Sequence, residues 1–258
     1  MTTVTTLGRV FFGLGIAGIG VLHFFFPGIR PIIIPGLSEA NPTLNVIGPL
    51  VGILLIVTGI LITAGVKHHT LSLFMGIAFL ILALFIHLPA FLHSQRPFWV
   101  NLNKMLALSG GFFLVSRFHE PLERPKILIS LSKVSIIGKY LFAIMLVDFA
   151  LGHLFASKQL SSLVPPYIPQ PQFWAFLSGI ALAGGAISVV SNILVEKINL
   201  LLAAVLFIWL LALHLYFTVL HPTWQDGENF IGLFTCLCFC GTALLISQQG
   251  GKPLKVKS

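Results

Sequence analysis

Charge is what this sequence most lacks. Fifteen Lys and Arg and seven Asp and Glu make up only 9% of its 258 residues. An ordinary soluble domain carries about 25% charged residues. A globule of this size could not cover itself with a wettable surface from so few. That excludes a soluble enzyme, a disordered regulator and a nucleic-acid-binding domain. Cysteine is scarce too. Cys236, Cys238 and Cys240 alternate within one apolar run, with neither a CxxC nor an even-numbered framework. Disulfides and zinc are therefore not indicated. On a helix Cys236 and Cys240 share a face and Cys238 points elsewhere, so the three read as small packing residues and no metal is expected.

Hydrophobic residues are what the chain has in abundance. They form 57% of it, and the mean hydropathy is +1.00. The fold class expected is all-α, a polytopic membrane protein. A spanning helix needs about 20 mostly apolar residues. Eight such runs occur, near 8–26, 46–66, 70–92, 98–118, 134–156, 173–195, 198–220 and 229–247. The fourth is the most polar, with Asn101, Asn103 and Lys104 in its first turns; Lys104 is expected to snorkel to the interface. No basic leader precedes a cleavage site at the start, so the first run is expected to be a retained helix. Trp209 falls mid-span, where its N–H needs a partner or a cavity. Pairs such as Gly110-Gly111 and Gly184-Gly185 read as helix contacts.

The net charge of +8 points to anionic lipid rather than nucleic acid in such a chain. With both termini cytoplasmic, eleven basic residues fall inside, among them Arg9, Lys67, Arg117, Lys139 and Lys197. Four fall outside: Arg30, Arg96, Lys104 and Lys158. The positive-inside rule therefore predicts an inner-membrane protein with both ends in the cytoplasm. Phe98, Trp99, Tyr167, Phe173, Trp174 and Trp224 gather at the predicted outer boundary, where amphipathic rings are favoured.

The chain also repeats itself. Gly8-Arg9 matches Gly138-Lys139, Phe12 matches Phe142 and His23 matches His153. Further on, Gly52 matches Gly179, His87 matches His214 and Trp99 matches Trp224, each Trp two residues after a proline, Pro97 or Pro222. Each unit holds four spans, so the two units run the same way: a parallel repeat of four-helix bundles, not an inverted one. The expected division is a first module over 1–118, a polar cytoplasmic linker over 119–133 with Pro121 and Pro125, a second module over 134–249 and a basic tail over 250–258. After the first helix of each unit comes an apolar, proline-rich loop, Pro31–Gly36 and then Leu163–Pro169. Proline stops helix there, which leaves a stiff connector over the bundle top or a lid.

Three features together resemble the DoxX-like family of small membrane proteins: the Gly-Arg/Lys, Phe and His pattern of the first helix; the run from Val164 through Phe173-Trp174-Ala175-Phe176-Leu177-Ser178-Gly179; and a third helix ending at His214 before Pro222 and Trp224. The second unit fits better, because the aromatic pair before the second helix is missing around Pro35–Asn45. The resemblance implies a four-helix bundle and an association with membrane redox systems, including partner subunits linked to quinone reduction. It carries fold more firmly than function.

The polar residues inside the spans are the candidate site. His23 and His87 share a depth near the outer face, and His153 and His214 repeat the pair. Such a pair could ligate haem, hydrogen-bond a quinone headgroup or a lipid, or tie helices together. No CxxCH is present, which disfavours haem and leaves quinone as the cofactor-like ligand. Asp148 has Gly18 as its repeat partner and lies roughly 140° round the helix from His153. It reads either as a proton relay or as an acid hydrogen-bonded to a neighbouring helix. Arg9 and Lys139 read as snorkelling anchors. A ligand is expected near His153 and His214, with Trp174 or Tyr167 at the rim. Alternatives are a transporter of a small solute and a scaffold without a site. Whether the protein is an enzyme is left open.

Overall fold

A computed structural model describes residues 2–26, 28–35, 42–94, 98–118 and 126–249. Arg96, Pro97, Pro121, Arg124, Pro125, the first part of the expected linker over 119–125 and the basic tail lie outside the described residues. Every regular element described is helical. The long helices are α1 (Thr3–Phe25), α2 (Pro42–Ala64), α3 (His68–His93), α4 (Phe98–Arg117), α5 (Ile129–Phe155), α6 (Pro171–Ser191), α7 (Val195–Leu220) and α8 (Glu228–Ser247). Among the described residues, seven helices are long and apolar enough to cross a membrane. They lie within α1, α2, α3, α5, α6, α7 and α8.

Local chemistry explains several boundaries. The Thr2 hydroxyl accepts from the Thr5 N–H at 3.2 Å and caps α1, supplying a partner that the first turn otherwise lacks. Pro171 opens α6, where a missing N–H is no loss. Helix reaches back into the expected linker: Lys126–Ser132 and a 3₁₀ turn over Lys133–Ile137 run into Gly138–Phe155. No proline lies within 126–155 to stop it.

The helices form a ring with a shared wall. Around it, α1 packs on α2, α2 on α3, α3 on α4, α4 on α5, α5 on α6, α6 on α7, α7 on α8 and α8 on α1. A cross-contact of α4 with α8 divides the ring. One side is bounded by α8, α1, α2, α3 and α4, the other by α4, α5, α6, α7 and α8. This differs from two separate bundles, because α1 packs mainly on α2 and α8 while α5 packs on α6 and α4. The core follows this wall through the fully buried Phe12, Ile16, Met105, Leu108, Phe112 and Phe142.

The position of α4 accounts for its polarity. Most of its residues from Leu102 to Ser116 are buried. A helix surrounded by protein can carry polar groups if neighbours satisfy them. The outward faces are instead apolar, with Phe85, Ile187, Leu201 and Val219 among the exposed side chains. Such a surface suits lipid, not water.

Residues matched along the sequence make matching contacts. Phe12 meets Phe112 edge-on at 4.9 Å and Phe142 meets Phe239 edge-on at 5.8 Å. A Cβ added to Gly8 would lie 2.9 Å from the Gly241 carbonyl oxygen, and one on Gly138 would lie 2.8 Å from that of Gly110. These glycines let α1 approach α8, and α5 approach α4, at backbone distance. Likewise a Cβ on Gly52 or Gly179 would stand 3.0 Å from the Cβ of His23 or His153 respectively.

Candidate functional site

The two histidine pairs have different surroundings. His23 is 2% exposed and His87 0%. Residues 28–35 fold inward over them, with Ile29, Ile32 and Ile33 in the core. The His23 Nδ1–H donates to the Ile19 carbonyl at 3.0 Å. Its Nε2 is then the acceptor of the neutral ring, and the Arg30 backbone N–H reaches it at 3.4 Å. His87 Nε2–H donates to the Ile33 carbonyl at 3.1 Å. One short loop therefore answers both histidines with its own backbone. The Arg30 side chain anchors that loop, donating to the Asp226 carbonyl at 2.7 Å and lying over the Phe26 ring. Arg30 is buried.

His153 and His214 face open space instead. Both line a half-open cavity of about 540 Å³ bounded by α4, α5, α6, α7, α8 and the loop after α5. The His153 Nδ1–H donates to the Ala175 carbonyl on α6 at 3.0 Å, which leaves Nε2 of the neutral ring as an acceptor. No partner for that Nε2, and none for either nitrogen of His214, occurs among the described residues. The cavity walls are mainly apolar, with Leu182, Leu206 and Phe239 among them. Leu163 and Val164 of the proline-rich loop also line it, as do Trp209 and Trp224. The mid-span indole of Trp209 thus borders a cavity.

His87 and His214 share one further feature. Each lies in a π-helical stretch, Ala83–His87 and Leu210–Leu215. Such stretches re-aim side chains and free carbonyls from the regular ladder, and they are frequent at functional sites. The Tyr167 hydroxyl donates to one such carbonyl, Ala212, at 2.5 Å, with its ring against Tyr216. Tyr167 therefore fastens the loop to α7. Neither Tyr167 nor Trp174 lines the cavity; the Trp174 ring packs on Phe173 at the start of α6.

Asp148 also lies off the cavity. Its carboxylate accepts from the Trp99 indole N–H and from Asn103 Nδ2 at 3.0 Å, both on α4. Lys104 does not snorkel outward. It forms an ion pair with Glu228 at 3.0 Å, joining α4 to α8, and both residues line the cavity. Glu228 has no counterpart in the sequence reading, because a carboxylate at a helix start is ordinarily a terminal charge. Arg9 is likewise not a surface anchor: it is 8% exposed. Its guanidinium donates to the Ile62 carbonyl and to the Thr63 carbonyl at 2.8 Å, closing the end of α2. Lys139 differs, lying over the Tyr140 ring. Cys236 and Cys238 are buried and donate to the Leu206 and Phe12 carbonyls at 3.3 and 3.5 Å. No metal-binding cluster occurs among the described residues.

No protein-family model, curated protein or solved structure matches the chain.

Proposed function

We propose that this is an inner-membrane protein of eight spans, built from two fused four-helix modules of the DoxX-like type, with both termini cytoplasmic. Its second module binds a quinone or a lipid headgroup between His153 and His214, near the outer face, in the service of a membrane redox partner. The matched contacts of Phe12 and Phe142 and of Gly8 and Gly138, and the shared π-helical setting of His87 and His214, support the repeat. The 20-residue length of α4 and its central place support the eighth span.

One observation carries the binding role: the cavity of about 540 Å³ with two histidines in its wall. An apolar pocket with a few convergent polar groups is the usual form of a small-molecule site, and 540 Å³ accommodates a ring headgroup with the start of a tail. The proton-relay role for Asp148 has less support than a helix tie, since α4 engages the carboxylate. The test is extraction of the protein from native membrane, followed by mass spectrometry of the molecules bound to it. Wild type and His23→Ala should retain a quinone or a defined lipid that His214→Ala loses. The same lipids in all three proteins would contradict the proposal and leave a scaffold.

A further inference from the structure

The first histidine pair is engaged by its own loop, with His87 Nδ1 alone left without a partner among the described residues, and the groups that engage it indicate what the second pair needs. Residues 28–35 present a backbone N–H to His23 and a backbone carbonyl to His87, on a body of buried isoleucines. That segment is an apolar object headed by one donor and one acceptor. His153 repeats the state of His23, with Nδ1–H given to a carbonyl and Nε2 left to accept. His214 repeats the π-helical setting of His87, and as a neutral ring it must carry one N–H. The loop after α5 leaves this pair unanswered: Val164 and Pro165 are its buried residues over 161–170.

We infer that the second-module cavity takes an apolar molecule whose head carries a hydroxyl donor beside an oxygen acceptor. The hydroxyl donates to His153 Nε2, and an oxygen accepts from the N–H of His214. This rests on the proposed binding role and narrows it. An oxidised quinone offers carbonyl acceptors only, and would leave His153 Nε2 buried against another acceptor. A quinol, a phenol or a glyceride hydroxyl satisfies both rings. The site therefore prefers the reduced form of a quinone, or a hydroxyl-headed lipid, over carbonyl-headed or ether-headed analogues. A polar group built to pair discriminates strongly against a ligand lacking the complementary group.

The measurement is calorimetric titration of the full-length protein in detergent with 4-heptylphenol and with its methyl ether, 4-heptylanisole. The pair differs in the donor hydrogen, while the ether keeps the oxygen. Phenol binding at least about tenfold tighter than the ether is expected. His153→Ala should bring the two within about twofold by weakening the phenol, while His23→Ala keeps the full ratio. His153→Gln, whose side-chain oxygen also accepts, should restore part of the ratio, which separates acceptor loss from misfolding. Decyl-benzoquinol and decyl-benzoquinone, compared without oxygen, should rank in the same order. 1-Monocaprin identifies the source: tighter binding than the quinol means a lipid, weaker means a quinol, and both support a hydroxyl head. Equal affinity for phenol and ether in the wild type overturns this inference and leaves the binding role standing. Binding of neither overturns both.

Discussion

Asp148, half-buried, and Arg9, buried, illustrate how an ionisable group between helices is used at the scale of one residue. Each is an ionisable group among apolar neighbours, and each is directed at a neighbouring helix. Asp148 holds two side chains of α4, and Arg9 holds the carbonyls that end α2. Removing one member of a polar set packed between helices leaves its partners unsatisfied, at up to about 1–3 kcal/mol where they are buried. Asp148→Ala should therefore lower the thermal midpoint clearly, in line with that cost. Asp148→Asn keeps an oxygen for the Trp99 N–H and should bind ligand as the wild type does. A thermal melt and a ligand titration on the same samples check both statements. Lost binding with an unchanged melt would make Asp148 part of the site. His153 and His214 are different at this scale, because their free nitrogens meet a cavity and not a helix.

Between elements, glycine sets the spacing. Gly241 on α8 admits the backbone of Gly8 on α1; an added Cβ would stand 2.5 Å from that carbonyl oxygen. Gly241→Ala should thus destabilise by about 1–3 kcal/mol through overpacking, measured as a lower melting temperature. Gly184 has open space where its Cβ would go, so Gly184→Ala should not destabilise. A melt unchanged in Gly241→Ala would show that α1 and α8 do not depend on this contact. Much at this scale is legible in the sequence. Apolar runs mark the helices because a lipid-facing surface demands them. The matched glycines, phenylalanines and histidines recur in order; in the fold the glycines and phenylalanines make matching contacts, while the histidines have different partners. The π-helical stretches at His87 and His214 leave no compositional trace, since Ala83–His87 and Leu210–Leu215 read as ordinary apolar helix. The inward turn of residues 28–35 was equally hidden. Both proline-rich loops are apolar, and what separates them is the anchoring of Arg30 at Asp226, a contact nearly two hundred residues away in the chain. The polarity at the start of α4 was visible as Asn101, Asn103 and Lys104. Its cause, a helix enclosed by others with partners in Asp148 and Glu228, required the packing.

At the scale of the whole molecule, the central claim is an asymmetry between matched halves. One side of the α4–α8 wall closes its histidines with its own loop; the other keeps a cavity. Binding stoichiometry tests this most directly. With 4-heptylphenol titrated into protein of known concentration, one molecule per chain is expected. The value should stay at one in His23→Ala, whose loop still fills the first side, and should fall towards zero in His214→Ala. Two equivalent molecules per chain, or a full site in His214→Ala, would contradict the account.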